Sequence, residues 1–511
     1  MLPASPLETI EPRLRPFLPA DLYAAAWVDP SPTTLERVFE HLRTLQRILY
    51  DYTPRRVSES AARPGEVRYE WQKGSLMFTD LAGFTRLMEA NAGLGDSGAA
   101  ALLKVLNAYF TEMIEIINKS GGDLLEFTGD ALLALFPEDQ KRNDTLQAVR
   151  AGLRMQRAMK RFRAIETPEG KLKLEMRVGI HSGRFLTASI GTPRRMEHVL
   201  LGRAVQQAKL SEGSGVNGRV CLSEAAHQRV AELLHFEPGQ PGYQLVIDDL
   251  TEEQLGEYEV TPRRRMAGGV LFDRSVAGLL GEITRVIQSI EALACFLPAP
   301  VLNLLVESAA DRHIPPDFPS PTVVFVNFIG LPETVDRALP GEEHKVVNSF
   351  SRAFAAINAA VEKRGGVLKK ITYHLAGSDI VIYFGVPTAH TNDPIRAAQS
   401  ALAIREVITS LKPPTVGNLV PEITCQIGIA RGPAFAAEIG ELRGRREFNV
   451  LGDTINTAAR MMNRASANQI LITGAVHDLL GGSFKCESLG SVSLKGKAAP
   501  IPIYALLGQE A

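Results

Sequence analysis

The stretch GSLMFTDLAGFT, from Gly74 to Thr85, decides the fold of this chain. A β-rich apolar run delivers a single aspartate, Asp80, to a turn of small residues, and a helical pattern follows directly. The stretch TVVFVNFIGL, from Thr322 to Leu331, repeats this pattern with Asn327 in place of the aspartate. The chain therefore carries the same element twice, with the charge kept in one copy and removed from the other.

The two stretches open an internal repeat that covers most of the 511 residues. GGDLLEFTGDALLALFP in the first copy corresponds to GGVLKKITYHLAGSDIVIYFGVP in the second, RVGIHSG to QIGIARG, and HVLLGRAV to FNVLGDTI. The spacing from Asp80 to Gly202 is 122 residues, and from Asn327 to Gly452 it is 125. A period of this length is too long for a solenoid, so it predicts a duplicated domain.

Each copy reads as strand, helix, hairpin, helix and strand, which is the βαββαβ order of a ferredoxin-like domain. We predict an α+β protein with an N-terminal helical extension (1–72), a first domain (73–262), a linker (263–319) and a second domain (320–508). In the extension, an apolar stripe at helical spacing from Leu35 to Leu49 predicts a helix packed on the first domain. A separate partner site for this stripe is the alternative.

The composition restricts the class of protein. The formal net charge of −1 favours neither nucleic acid nor an anionic membrane as a partner. The four cysteines are far apart and form no metal-binding spacing, which is typical of a reducing compartment. The sequence has neither a signal-peptide pattern at its start nor an uncharged apolar run of about 18 residues. We therefore predict a cytoplasmic protein without a membrane span.

Two aspartates of the first copy are candidate metal ligands. Asp80 ends a strand and Asp130 lies in the predicted hairpin turn, so pairing of these strands would bring both carboxylates to one spot. Such a pair can hold two hard cations about 3.5–4 Å apart. The backbone amides that follow Asp80 open a helix and offer a phosphate cradle, formed by Leu81, Ala82, Gly83, Phe84 and Thr85. Taken singly, Asp80 could be a helix cap and Asp130 a hairpin residue, but together they predict nucleoside triphosphate chemistry.

The motifs FTDLAGFT, GGDLLEFTGDALLALF, RVGIHSG and VLGDTINTAARMM resemble those of class III nucleotidyl cyclases. The likeness is above all to the tandem catalytic pair of soluble, bicarbonate-responsive adenylyl cyclases and their bacterial relatives. This resemblance implies that two cyclase domains pair head to tail within the chain, as an intramolecular pseudo-heterodimer. It also implies composite sites at the interface, with metals bound by one domain and purine and ribose by the other.

The two copies differ at the positions that the resemblance marks as functional. The second copy has Asn327 and Ser378 at the two metal positions. The first copy lacks the purine-selecting lysine and the asparagine and arginine of the last motif, and it has Glu126, Gln206 and Leu210 there. Each copy has lost what the other has kept. The resemblance therefore predicts one active site and one pseudo-site.

The resemblance assigns a role to each remaining position. Asp80 and Asp130 would bind two Mg²⁺, with Mn²⁺ as a substitute, while the ribose 3′-OH attacks the α-phosphorus in line and pyrophosphate leaves. Asn456 would orient the ribose, and Arg460 would stabilise charge on the α-phosphate. Arg177 and Lys495 would bind the β- and γ-phosphates.

Base recognition is assigned to Lys370 and Asn449. A lysine only donates, so it can meet adenine N1 but not the N1–H of guanine. Alternation along the strand predicts that the neighbouring Lys369 faces the opposite side. The amide of Asn449 suits either adenine N6 or guanine O6. Adenine is the expected base, and a guanine or dual-purine specificity is the alternative.

The predicted pseudo-site has Glu126 and Lys209 at positions that hold a small anion in the bicarbonate-responsive relatives. A carboxylate disfavours an anion, so we interpret the two residues as an ion pair that closes the cavity. Taken together, the sequence predicts an adenylate cyclase that forms cyclic AMP from ATP and is active as a single chain. The alternatives are a guanylate or dual-purine cyclase and a nucleotide-binding regulatory module without turnover.

Overall fold

The computed structural model describes residues 6–59, 63–256, 258, 273–311, 313–373, 375–441, 444–494 and 499–510. These residues form a helical layer and two α+β domains. Within these ranges, no helix is long and apolar enough to cross a membrane. Short 3₁₀ helices cover Arg15–Phe17, Met159–Phe162 and Pro332–Arg337.

The helical layer combines the N-terminal extension with the linker between the domains. Its helices are α1 (Pro6–Leu14), α2 (Ala20–Val28), α3 (Pro32–Tyr52) and α4 (Arg55–Glu59) in the extension, and α10 (Val276–Ala294) and α11 (Ala299–Glu307) in the linker.

The first domain is built on a sheet of eight strands. Its strands are β1 (Arg68–Ala82), β2 (Asp123–Thr128), β3 (Ala131–Pro137), β4 (Ile165–Thr167), β5 (Gly170–Leu172), β6 (Glu175–Thr192), β7 (Arg195–Leu201), β8 (Val220–Ser223), β9 (Phe236–Pro238) and β10 (Tyr243–Val246). Its helices are α5 (Phe84–Ala92), α6 (Gly95–Lys119), α7 (Asp144–Ala158), α8 (Arg203–Gly213) and α9 (Glu224–His227). The main sheet has the order β2-β3-β1-β6-β8-β10-β9, with β7 paired to β6, and β4 and β5 pair separately.

The second domain repeats this plan. Its strands are β11 (Thr322–Ile329), β12 (Val367–Tyr373), β13 (Ser378–Phe384), β14 (Thr424–Arg431), β15 (Phe435–Gly440), β16 (Arg446–Leu451), β17 (Ile470–Thr473), β18 (Phe484–Val492) and β19 (Ile501–Gln509). Its helices are α12 (Glu343–Glu362), α13 (Asp393–Thr409), α14 (Asp453–Arg464) and α15 (Gly474–His477). The main sheet has the order β12-β13-β11-β14-β17-β19-β18, and β15 pairs with β16.

The predicted fold class is confirmed. The orders β2-β3-β1-β6 and β12-β13-β11-β14 are the antiparallel cores of two ferredoxin-like domains, each extended by further strands. The predicted domain boundaries stay predictions. Strand β1 begins at Arg68, ahead of the predicted domain start at residue 73.

The two domains exchange hairpin arms. The arm β15–β16 of the second domain buries Phe435, Ile439 and Leu451 in the helical core of the first domain. In return, the arm β6–β7 of the first domain buries Leu186 and Ile190 in the helical core of the second domain. Polar contacts accompany both arms, because the amides of Gly440 and Gly191 donate to Asn107 Oδ1 (3.3 Å) and Ser351 Oγ (2.9 Å). This reciprocal packing makes the pair a head-to-tail pseudo-dimer within one chain.

The apolar stripe of α3 does not pack on the first domain, so this prediction is wrong. Its leucines are fully buried against α10 and a face of the second domain that includes Phe325 and Tyr383. At the end of α3, the Tyr52 hydroxyl donates to Glu438 Oε2 of β15 (2.6 Å). The physical reason is that the arm β15–β16 already occupies the helical side of the first domain, whereas this face of the second domain is apolar and open to the helices.

Candidate active site

The predicted phosphate cradle lies at the turn from β1 into α5. Gly83 caps α5 with a φ of 99°, in the left-handed region that favours glycine. A Cβ at this position would lie 2.5 Å from the carbonyl oxygen of Lys173, so a side chain would clash with backbone. The chain therefore turns at Gly83, and α5 begins at Phe84, whereas Leu81 and Ala82 still belong to β1 and pair with β6. The phosphate cradle from Leu81 to Thr85 stays a prediction.

The two predicted metal ligands lie at the same end of neighbouring strands. Strand β1 pairs with β3 up to Thr79, which lies opposite Leu132. Asp80 follows Thr79 directly, and Asp130 lies two residues before Leu132. Burial and then the charge of Asp80 raise the pKa of Asp130 to about 7. Two carboxylates that repel each other suit a divalent cation, because its charge would relieve the repulsion. Among the described residues no third acidic, histidine or cysteine side chain completes a metal cluster.

Arg177, the predicted phosphate ligand on β6, forms ion pairs with two acidic side chains. It lies opposite Asp80 across the β1–β6 pairing, and its Nη2 donates to Asp80 Oδ2 at 2.6 Å. Its Nε is 2.9 Å from Oε1 of Glu212, a fully buried residue on α8. The arginine therefore neutralises a predicted metal ligand. Sequence reasoning missed Glu212, although a charged residue on a buried helix face is a signal that could have found it.

Asn449 connects the second domain directly to the hairpin that carries Asp130. Its Nδ2 donates to the carbonyl oxygen of Gly129 at 3.3 Å, and its Oδ1 accepts from the amide of Val450 at 3.0 Å. Asn449 is only 2% exposed, so this contact is part of the closed interface between the domains. The structure thus brings the predicted purine position next to the predicted metal position.

The predicted ribose and phosphate residues lie on α14, which begins directly after β16 and Gly452. Asn456 and Arg460 are four residues apart, so they lie on one face of the helix. Asn456 is exposed, and Arg460 is partly buried with its Nη1 3.9 Å from Asp453 Oδ1. Lys495, the last predicted phosphate residue, lies outside the described residues.

Lys369 and Lys370 do not face opposite sides of β12, so this prediction is wrong. The pairing of β12 with β13 shifts between Leu368 and Lys370, which is a β-bulge that breaks the alternation. Both Nζ atoms reach the same oxygen of Glu447, at 2.8 Å and 2.9 Å. Lys370 also donates to the carbonyl oxygen of Phe127 in β2 of the first domain. Lys370 is therefore an interdomain contact in this structure.

Glu447 was also missed by the sequence reasoning. Burial alone would raise its pKa, but Lys369, Lys370 and Arg445 hold the pKa of this carboxyl at about 2. It accordingly stays charged, and it fixes both lysines beside β16. The alternating pattern of β16 offered no signal for it, because its role depends on the bulge in the neighbouring strand.

The predicted ion pair between Glu126 and Lys209 does not form. Lys209 Nζ is 2.7 Å from Oε2 of Glu212, one turn along α8, which is closer and fully buried. Glu126 instead lies near Lys370 in a cavity of about 80 Å³ at the domain interface. Its Oε2 is buried without a hydrogen-bond partner among the described residues, and burial raises its pKa to about 8.

The strand registers support the predicted correspondence between the two copies. Asp80 lies opposite Arg177 as Asn327 lies opposite Gln426. Strands β2 and β12 carry the same bulge, which puts Glu126 at the position of Lys370. Ser378 likewise corresponds to Asp130. Ser378 lies two residues before Ile380 and Asp130 two residues before Leu132, and these two residues pair with the same position of the central strand in each domain.

Comparisons with known proteins agree with this architecture. The family model of the adenylate and guanylate cyclase catalytic domain matches residues 67–246 and again 317–508. Adenylate cyclase type 10 of Rattus norvegicus is 25% identical over 449 residues, which cover 85% of this chain and 26% of that protein. An adenylate cyclase of Mycobacterium bovis is 31% identical over 220 residues, which cover 43% of this chain and 46% of that protein.

One solved structure matches nearly the whole chain. It is described as a class III adenylyl cyclase-like ATP-binding protein from Pseudomonas aeruginosa, with a TM-score of 0.55 and 13% identity, covering 88% of this chain and 94% of that one. This likeness shows the fold alone. The chain spans about a quarter of the length of the type 10 relatives that it matches. With two matched domains that make up most of its length, the chain belongs to the family of adenylate and guanylate cyclase catalytic domains.

Proposed function

We propose that this chain is an adenylate cyclase that converts ATP to 3′,5′-cyclic AMP and pyrophosphate at one site between its two domains. The observation that carries the proposal is the contact of Asn449 with Gly129, because it joins the purine half to the turn that holds Asp130. The similarity to curated adenylate cyclases over most of the chain supports the same activity. A cytoplasmic location, expected from the sequence, is part of the proposal.

The metal site would be formed by Asp80 and Asp130. Two bound Mg²⁺ ions, or Mn²⁺ in their place, would lower the pKa of the ribose 3′-OH and neutralise phosphate charge. Arg177 now holds Asp80, and we infer that it exchanges this carboxylate for the β- and γ-phosphates when substrate enters. Glu212 keeps a second contact to Arg177, which limits how far the guanidinium moves.

The second domain would bind the nucleoside and stabilise the developing charge. Asn456 is exposed on α14 and would orient the ribose. Arg460 would donate to the non-bridging oxygens of the α-phosphate, where its planar fork suits two acceptors. Lys495 would contribute to binding the β- and γ-phosphates. The amides from Leu81 to Thr85 would receive a phosphate at the start of α5.

Adenine would be selected by Lys370 and Asn449. Both side chains already have partners across the interface, so base binding would replace or bend these contacts. Lys370 can donate to adenine N1 but would meet a donor on guanine. The discriminating experiment compares turnover of ATP and GTP with Mg²⁺ and with Mn²⁺, before and after Lys370→Ala. A preference for GTP in the unmodified protein contradicts the proposal and favours a guanylate or dual-purine cyclase.

A second candidate function is a nucleotide-binding regulatory module without turnover. The observation that favours it is the 2.6 Å ion pair between Arg177 and Asp80, which engages a predicted metal ligand. The Pseudomonas aeruginosa structure with the same tandem fold is described as ATP-binding. Purified protein that binds Mg-ATP without releasing pyrophosphate would establish this candidate. Release of one pyrophosphate per cyclic AMP formed would exclude it.

Activity from a single chain is also part of the proposal, because the two domains already pack head to tail within it. Mixing Asp80→Asn and Arg460→Ala proteins tests this point. We expect no recovery of turnover, since each chain then carries one defective component of its only site. Recovery on mixing would mean that the site forms between two chains.

A further inference from the structure

A pocket of about 420 Å³ lies beside the nucleotide cleft and is walled by both domains. Met88 on α5 of the first domain forms one side. The end of β14, the start of α14 and the start of β19 form the other side, where Ala434 and Ile501 contribute apolar surface. A volume of this size is typical of sites for small organic molecules.

At two positions that line the pocket, the second copy has small side chains where the first copy has large ones. The register of β6 and β14 puts His181 of the first copy at the position of Ala430, and the paired arms put Phe185 at the position of Ala434. Phe185 is fully buried in the first domain, and the two alanines, which line the pocket in the second domain, are themselves at most 1% exposed. The two copies therefore differ in side-chain size at both positions.

The same difference leaves a buried hydroxyl without a partner. In the first copy the Ser223 hydroxyl lies 2.8 Å from His181 Nδ1 and accepts from the amide of Ala226. Its counterpart is Thr473, which lines the pocket and is 5% exposed. Among the described residues Thr473 Oγ1 has no hydrogen-bond partner. A buried polar group of this kind costs free energy until a partner satisfies it, so it points to a ligand.

One cation completes the polar side of the pocket. Arg431 lines it and uses Nη1 to donate to Thr322 Oγ1 at 3.1 Å. Two acids also line the pocket. Glu89 is exposed on α5, and Asp453 lies 3.9 Å from Arg460. An oxygen anion would thus find its charge partner at Arg431.

The pocket borders the catalytic face of α14 at Asp453, which lies 3.9 Å from Arg460. Thr454 and Thr457 line the pocket, whereas Asn456 and Arg460 do not. With 100° between successive residues, the two pairs lie on adjacent faces of the helix. A molecule in the pocket would therefore contact the helix that carries Arg460 on the side of Thr454 and Thr457.

We propose that this pocket binds a small amphipathic acid. Its apolar body would rest on Ala430 and Ala434, and its acidic head group would accept hydrogen bonds from Arg431 and Thr473. Such a molecule would touch α5, which follows the Asp80 turn, and α14, which carries Arg460. Its binding would therefore stabilise the packing of the two domains that the proposed reaction needs. The binding itself does not depend on the cyclase reaction.

The experiment is a titration of the full chain with 1-anilinonaphthalene-8-sulfonate, an apolar fluorescent anion. Ala434→Phe restores the large side chain of the first copy and should weaken probe binding at least about tenfold by filling the pocket. Arg431→Gln removes the charge partner and should weaken it about tenfold. Ala434→Ser is the matched control that leaves the pocket open, and it should bind as the unmodified protein does. Octanoate should displace the probe, and octylammonium should not.

Several results would overturn the proposal. Equal probe affinity in Ala434→Phe and Ala434→Ser would mean that the probe binds elsewhere. If Ala434→Phe does not fold, unchanged affinity in Arg431→Gln would equally mean that the probe binds elsewhere. Displacement by octylammonium as readily as by octanoate would refute the acidic head group. Because the readout is fluorescence, a protein without cyclase activity would still give a decisive result, so this inference and the proposed function fail separately.

Discussion

The hairpins of the two domains have the same register and the same bulge, but one position holds an acidic residue in the first hairpin and a basic residue in the second. In β2 this position is Glu126, whose burial raises its pKa to about 8, and in β12 it is Lys370, paired with Glu447 at 2.9 Å. The turn that follows holds Asp130 in one copy and leads into Ser378 in the other. Backbone geometry was thus kept after duplication while the side chains diverged. Equivalent positions in the two domains therefore do not have equivalent roles. The role of a position depends on its side chain and on the side chains with which that side chain pairs.

The largest expected effect is at the metal positions. Asp80→Asn or Asp130→Asn should lower ATP turnover about a thousandfold, because several kcal/mol of charge stabilisation depend on bound metal. Pyrophosphate release at saturating Mg-ATP measures this. The control is Ser378→Asp, which puts an aspartate at the matching position of the second copy and should leave turnover unchanged. If Ser378→Asp lowered turnover as much as Asp80→Asn or Asp130→Asn does, the two domains would not differ in their metal role.

Arg460 offers the next test. Arg460→Ala should lower kcat about 10²–10³-fold with a smaller change in KM, because its donors act on charge that develops in the transition state. Leu210→Ala changes the same position of the first copy and should leave kcat within about twofold, since an aliphatic side chain stabilises no such charge. A rise in KM with an unchanged kcat would show that Arg460 contributes equally to binding of the ground state and the transition state.

Glu197 on β7 and Glu447 on β16 allow the two domains to be compared by the free energy of unfolding. Glu447→Gln leaves Lys369 and Lys370 buried without their counter-charge, and it should lower the free energy of unfolding by about 3 kcal/mol. Glu197 has the same place in the first copy, and its ion pair is with Arg195 at 2.6 Å. Chemical denaturation of Glu447→Gln and Glu197→Gln should show the larger loss in the former. The reverse order would contradict the assigned network.

The smallest expected effect is the pH dependence at Glu126. Burial raises its pKa to about 8, above its ordinary value of 4.5, so the folded state binds a proton that the unfolded state releases. Stability is then highest below about pH 4.5 for this group and is lost as pH rises towards 8. Lys370, Glu447, Glu197 and Arg445 face the same carboxyl.

Glu126→Gln should remove this loss, so its thermal transition should fall less between pH 5 and pH 8 than that of the parent, as measured by calorimetry at several pH values. The control is Asp139→Asn, an exposed carboxylate, which should leave the slope as it is in the parent. A parent-like slope in Glu126→Gln would place the titrating group elsewhere.

Several structural features followed from residue patterns. The duplication, the βαββαβ order and the place of Asp80 at the end of a strand were predicted, because strand alternation, helical periodicity and turn residues are local signals. Local signals failed where a side chain had to choose among distant partners. Lys209 pairs with Glu212 and not with Glu126, and the stripe of α3 packs on the second domain instead of the first.

The bulge at Lys369 shows why the remaining features could not be predicted. Alternation assumes one residue opposite one residue, and the shift between Leu368 and Lys370 is decided by how β12 pairs with β13. The sequence by itself determined that this chain is a duplicated cyclase domain with complementary losses, because those signals are the identities of residues at fixed spacing. Only the tertiary structure decided which charges meet and that Ala430 and Ala434 line a pocket. Ion pairing and cavity volume depend on the relative placement of elements that are distant in the chain.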